Sequence, residues 1–266
     1  MASFLHDGVR FHYEVDGAGS PLVLCHAIGR DVGQIQRYVG TPLSFRVIRW
    51  DARAHGLTEP IGPVERLNFS SFAEDLASLL DHLEIESAVV GGISMGAATS
   101  IAFSCRWPSR VRAAILIRPA WLAEPHPNSL KCLQLIGRLL SENSLEQARE
   151  RFRNSKEYYA LRRKSSQAAE NLLSEFEQPL SAVRAVRFLH ITASAPIADW
   201  RQLALCDMPI MVVGCDKDPF HPLEVAVEWA EHLPNAYFAA VPSPLEDTDE
   251  HIQQLRETIH RFLQTL

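Results

Sequence analysis

The run Ser87-Ala-Val-Val-Gly91-Gly92-Ile93-Ser94-Met95-Gly96-Ala97-Ala-Thr-Ser-Ile-Ala-Phe103 decides how the rest of the chain is read. Residues 87–90 form a short apolar run bounded by two glycines, which predicts a buried parallel strand. Residues 97–103 are rich in small residues and helix formers, which predicts a helix. The turn between them carries G-x-S-x-G. A sharp strand-to-helix turn lifts the Ser94 hydroxyl clear of the backbone, and Gly92 and Gly96 remove side chains that would clash there. The helix N-terminus then presents free N–H groups and a partial positive charge beside Ser94, suited to an oxyanion. The plain alternative is a glycine-rich turn holding an ordinary serine.

Upstream, residues 9–15 alternate apolar and polar between Asp7-Gly8 and Asp16-Gly17, as an antiparallel edge strand would. Residues 21–27 and 45–51 read as central strands. Residues 69–83 place Phe72, Leu76, Leu79, Leu80 and Leu83 at helical spacing, with Ser70 or Ser71 as the expected cap and Glu74 completing a capping box. Downstream, 110–117, 208–214 and 236–241 read as further strands, and 223–233 as a helix. Strands alternating with helices imply a doubly wound, mostly parallel α/β sheet with right-handed crossovers. The alternation breaks over 121–200, where prolines and helical stretches at 130–140, 145–152, 157–176 and 179–191 replace strands.

These motifs resemble the α/β-hydrolase family over nearly the whole chain. The resemblance implies a core of residues 1–120 and 201–266, with 121–200 as a helical cap that excludes water and shapes the pocket. His26-Ala27-Ile28 stands where the family usually reads His-Gly-x, so the Ile28 N–H is expected to join that of Met95 in the oxyanion hole. His26 is expected to hold the loop. Asp51-Ala-Arg53-Ala54-His55-Gly56 is similar to the family's Asp-x-Arg-Gly-His-Gly loop, which makes Asp51, Arg53 and His55 braces. Trp121 and Trp200 flank the insertion, either lining the pocket or the hinge or packing as core aromatics. The family's acid falls at Asp218, with Asp216 the weaker candidate.

The base is the main departure. The family's Gly-His position falls near Leu245. His251 is the remaining histidine between the last strand and the body of the last helix, and Ser94, Asp218, His251 keeps the family's nucleophile–acid–base order. His251 is therefore the expected base, with Asp218 meeting its other nitrogen. Asp247, Asp249 and Glu250 are expected to raise its pKa. His221 is the rival, disfavoured because it shares a tight Asp-Pro loop with the acid.

The implied reaction is acyl transfer to water on an ester, thioester, lactone or related carbonyl, with no metal or organic cofactor. The rivals are a thioesterase for carrier- or coenzyme-bound acyl groups, and a non-hydrolytic binding protein or pseudoenzyme. Other chemistry on the same scaffold stays open.

The 266 residues, 47% of them hydrophobic, suffice for a large core. A net charge of −6 gives no sign of a nucleic-acid partner. Five scattered cysteines without C-x-x-C indicate neither a disulfide framework nor zinc. The N-terminus lacks signal-peptide features, and no apolar run is long enough to span a membrane, so a cytoplasmic setting is expected. The substrate is expected to be small and largely apolar. Residues 149–164 hold seven cationic side chains against Glu150 and Glu157. That stretch is either a solvated helix face or a dock for an acidic carrier.

Overall fold

A computed structural model describes residues 2–177 and 180–266. Eight strands form one sheet: β1 (Ala2–His6), β2 (Val9–Gly17), β3 (Ser20–Cys25), β4 (Phe45–Trp50), β5 (Ala88–Ile93), β6 (Val111–Ile117), β7 (Ile210–Cys215) and β8 (Ala236–Val241). Their order is β1-β2-β4-β3-β5-β6-β7-β8. The pairs β1–β2 and β2–β4 are antiparallel, and every other pair is parallel. The expected doubly wound sheet is therefore present. One strand was not anticipated: Asp7 and Gly8 take left-handed φ of 49° and 72° and fold β1 back on β2, which is not an edge strand.

Each central strand feeds two apolar layers, because successive side chains point to opposite faces. Val23, Val90, Leu116 and Val212 face helices α2 (Phe69–His82) and α3 (Met95–Arg106), while Leu24, Val89, Ile115 and Val213 face α1 (Val32–Tyr38) and the C-terminal helix. Helix α2 is capped by Asn68, whose side chain accepts from the Ser71 N–H at 2.9 Å. The expected Ser70 or Ser71 cap is thus corrected, because the helix already begins at Phe69.

Between β6 and β7 the described residues form no strand. They hold α4 (Lys131–Glu142), α5 (Leu145–Arg153), α6 (Lys156–Lys164), α7 (Ser166–Leu173), α8 (Ser181–Arg184) and α9 (Val186–His190). The expected single helix over 157–176 is broken at Ser165. Its extended backbone ends α6, and its side chain accepts from the Ala168 N–H at 3.1 Å to start α7. The expected start at Pro179 lies outside the described residues. The basic side chains of α5 and α6 are exposed around buried Phe152, Tyr158 and Leu161. Helices α10 (Leu223–His232) and α11 (Thr248–Leu263) complete the fold. None of the helices among the described residues is long and apolar enough to cross a membrane.

Candidate active site

In parallel sheets of this kind ligands bind beyond the carboxyl ends of the strands. The loops after β3, β5, β6 and β7 all reach a cavity of about 470 Å3 there, lined by Ile28, Ser94, Arg118, Asp218 and His221 among others. Helices α4 and α7 contribute Leu133, Gln167 and Asn171 to its walls.

Ser94 sits at the junction of β5 and α3 with φ 55° and ψ −103°. That is a sparsely populated region for a residue with a side chain, and such strain collects at functional sites. The turn survives because β3 presses on it from one side: a Cβ on Gly92 or Gly96 would lie 2.3 or 2.1 Å from the Cys25 carbonyl oxygen. The Ser94 N–H donates to the Ile117 carbonyl at 2.9 Å, which pins the turn to β6. Among the described residues the Ser94 hydroxyl makes no hydrogen bond. The same holds for the backbone N–H groups of Met95 and Ile28, as an oxyanion hole requires of its donors. Ala27, where the family has glycine, keeps a negative φ, so its side chain imposes no strain.

The loops below are tied by buried hydrogen bonds. His26 accepts from the Ala52 N–H at 3.2 Å and donates to the Ala27 carbonyl at 2.8 Å. Asp51 takes the N–H groups of Val32 and Leu57 at 2.8 and 2.9 Å. Arg53 forks onto Asp75 at 2.7 and 2.8 Å. His55 donates to the Arg53 carbonyl at 2.7 Å, and burial together with Arg187 keeps its pKa well below 6.5. Ala54 adopts φ 62°, the left-handed turn that glycine would take more easily, and its carbonyl accepts from Arg187.

Asp218 stands where the acid was expected, but its partner differs. His221 Nδ1 donates to Asp218 Oδ2 at 2.8 Å, and Arg118 Nη1 donates to the same oxygen at 3.2 Å. The Phe220 N–H holds Oδ1 at 3.0 Å. Burial alone would raise the Asp218 pKa. His221 and Arg118 outweigh it and hold the carboxyl below its usual range. Since the ionised carboxylate only accepts, His221 carries a proton on Nδ1, and its Nε2 is not committed to the acid.

The expected Asp218–His251 pairing is corrected. His251 donates from Nδ1 to the Pro242 carbonyl at 2.6 Å, and its Nε2 is sealed from solvent without a partner among the described residues. It does not line the cavity. Asp247 explains why: its side chain accepts from Asp249 and Glu250 N–H groups and starts α11 at Thr248, so His251 falls in the first helical turn and packs edge-on against Tyr38. The expected rise in its pKa is likewise reversed. Burial first, then Arg118, push it down to about 4. Leu245, at the family's histidine position, does line the cavity.

Trp121 is buried away from the cavity, edge-on to Phe69, and its carbonyl accepts from the Trp229 indole at 2.7 Å. Trp200 stacks on His232 at 4.1 Å and is also absent from the cavity wall. Among the wall residues not anticipated are Gln34, Arg37, Tyr38 and Arg118. A charged residue directly after the apolar run of β6 was the available signal for Arg118.

Comparison with known proteins agrees with this architecture. The family model described as alpha/beta hydrolase fold matches residues 20–244. Among curated proteins, the dihydrolipoyllysine-residue acetyltransferase component of the acetoin cleaving system of Pseudomonas putida is 35% identical over 114 residues, 42% of this chain and 30% of that protein. The 2-hydroxy-6-oxo-6-phenylhexa-2,4-dienoate hydrolase of Comamonas testosteroni is 29% identical over 146 residues, 52% of this chain and 51% of that one. The matches thus span about half or less of these relatives' lengths. Among solved structures, the enol-lactonase from Burkholderia xenovorans LB400 superposes with a TM-score of 0.76 at 20% identity, covering 99% of this chain and 100% of that one, a likeness of fold. With eight strands in this order, a strained Ser94 at the β5–α3 turn and a family model matched from residue 20 to 244, the chain belongs to the α/β-hydrolase family.

Proposed function

We propose that the protein is a serine hydrolase of carboxylic esters, lactones or related carbonyl compounds, with Ser94 as nucleophile, His221 as general base and Asp218 as the group that orients it. The observation that carries this reading is the 2.8 Å Nδ1–Oδ2 bond between His221 and Asp218 on the wall of the cavity that Ser94 also lines. Serine is a weak nucleophile at its free pKa and needs a base whose second nitrogen is fixed by another group. His221 Nε2 takes the proton as Ser94 Oγ bonds to the carbonyl carbon. The oxyanion collects at the Met95 and Ile28 N–H groups. Collapse breaks the bond to the leaving group, which takes the proton from His221. Water then adds to the acyl-enzyme by the same route and releases the acid. No cofactor enters this balance.

A cytoplasmic setting belongs to the same reading, supported by five free cysteines. A fluorophosphonate probe tests the core of the proposal. Intact mass should show one adduct on the native protein, none on Ser94→Ala, and slow labelling of His221→Ala. A folded native protein that stays unlabelled would overturn it. The exposed Arg162, Arg163 and Lys164 on α6 support docking of an acidic carrier. Replacing all three by Ala should slow a carrier-bound thioester while leaving a small aryl ester within about twofold, since distant surface charges act mainly on encounter. Equal thioester turnover in the variant would remove that expectation.

A further inference from the structure

The cavity wall opposite the turn is built around under-used donors. Arg118 is 7% exposed and makes one side-chain hydrogen bond among the described residues, the 3.2 Å contact with Asp218, although a guanidinium has five N–H donors. Its Nε has no partner there. Burying a cation with so few acceptors is costly unless the site normally supplies more. Its backbone is also held in a left-handed conformation, φ 47°, by a 2.7 Å bond from its N–H to the Val213 carbonyl. That conformation costs energy for a side-chain-bearing residue, and such strain collects at functional sites.

Helix α1 supplies the rest. Gln34, Arg37 and Tyr38 fall three and four residues apart, so they share the face turned to the cavity. Gln34 Oε1 accepts from the Ala27 N–H at 2.8 Å, which leaves the two amide N–H donors free. The Tyr38 ring lies 5.6 Å beneath the Arg118 guanidinium carbon. The Arg37 side chain has no ion-pair or hydrogen-bond partner among the described residues. Arg30, by contrast, is neutralised by Glu175 at 3.1 Å.

We propose that this wall recognises a free carboxylate on the substrate, held by Arg118, Arg37 and the Gln34 amide while Ser94 attacks a carbonyl elsewhere in the same molecule. The proposal rests on the hydrolytic reading above for the second half of that sentence only. A guanidinium pairs with planar carboxylate or with phosphate. The carboxylates of Asp218, Glu175 and Glu246 line the same cavity, so a single negative charge suits it better than a phosphate dianion.

Two measurements separate recognition from chemistry. The first compares p-nitrophenyl hemiglutarate, an ester with a free carboxylate, with neutral p-nitrophenyl butyrate. The native protein should prefer the charged ester in kcat/KM by about tenfold or more, the effect of roughly one charge-assisted pair. Arg37→Gln should erase most of that ratio. The second titrates glutarate and inorganic phosphate into Ser94→Ala calorimetrically, which needs no turnover. Glutarate should bind, Arg37→Gln should weaken it about tenfold, and phosphate should bind less well. Hydrolysis of both esters alike with no glutarate binding would overturn the subsite and leave the hydrolase standing. Glutarate binding lost in Arg37→Gln, with neither ester cleaved, would uphold the subsite and sink the hydrolase. Phosphate binding tighter than glutarate would overturn the carboxylate assignment.

Discussion

Two loops leave adjacent parallel strands at the same edge of the sheet, and each carries a histidine. The loop after β7 turns back on itself at Asp218-Pro-Phe-His221: the His221 N–H meets the Asp218 carbonyl at 3.3 Å, and the imidazole meets the carboxylate. The loop after β8 is stitched through Ser243, whose hydroxyl takes the Leu245 N–H and whose carbonyl takes those of Glu246 and Asp247. That stitching turns Leu245 to the cavity and sends His251 into a helix. One loop joins its histidine to an acid within the cavity; the other isolates its histidine behind a tyrosine. A histidine's chemistry follows from what its second nitrogen meets and from whether its free nitrogen is reachable.

The largest expected effect breaks or upholds this contrast directly. His221→Ala should lower kcat by about a hundredfold to ten-thousandfold on a small aryl ester, the range for losing a general acid–base group. His251→Ala should stay within about tenfold of native, the change arising only from relaxation around Tyr38. Steady-state kinetics on both folded variants decide it. The reverse ranking would return the base to His251 and require the α11 start to move during turnover.

The contrast also shows what the amino-acid order carries. The strand–Gly-x-Ser-x-Gly–helix run and the apolar strands are local patterns, and they place Ser94, the alternation of strands with helices and the acid loop; the strand order, with β1 outside β2, is not local and is not among them. The Asp-Pro turn is legible too, and as a sequence feature it reads against His221, because a tight turn leaves little room to aim both groups. At three-residue spacing that turn instead folds the imidazole back onto the carboxylate. The setting of His251 is not legible in the same way, because it depends on Asp247 capping α11 and on the Pro242 carbonyl that meets Nδ1. Arg118, Gln34 and Arg37 come from segments far apart in sequence, and only their convergence reveals a charged wall. The break at Ser165 was locally readable as a serine cap, but the apolar spacing on both sides masked it.

A smaller effect concerns stability and sharpens the isolation of His251. Its folded pKa is depressed to about 4 from 6.5, because burial and the neighbouring Arg118 both oppose a positive charge. A depressed folded value means that the unfolded chain binds the proton more readily. The contribution is therefore complete above about pH 6.5 and is lost as pH falls toward 4. Between pH 7 and 5 the native protein should lose about 2 kcal/mol more stability than His251→Phe, a ring that cannot titrate. Urea unfolding at both pH values measures it. Equal losses in the two proteins would mean that His251 is hydrated and able to ionise in the folded state. Buried His26 and His55 contribute acid sensitivity of the same sign to both proteins, so the difference isolates His251.

The smallest effect tests whether the two loops are interchangeable as carriers of a base. Leu245 stands on the cavity wall with Asp218, and the loops are tied together: Lys217 pairs with Glu246 at 2.8 Å, and the Ser243 hydroxyl reaches the Lys217 carbonyl at 3.5 Å. A histidine at position 245 would thus emerge beside the acid loop from a backbone already held. In His221→Ala the Asp218 Oδ2 loses its imidazole partner and keeps Arg118, so it is free to accept from a new Nδ1–H. Adding Leu245→His to His221→Ala should restore about tenfold in kcat, a fraction of what a positioned base supplies because the new ring lacks a packed support. Leu245→His alone should restore nothing, since His221 already occupies the carboxylate. No recovery in the folded double variant would mean that position 245 faces the cavity at an angle that cannot meet Asp218 and Ser94 together. Pairing with Asp218 would then belong to the loop after β7 and not to the loop after β8.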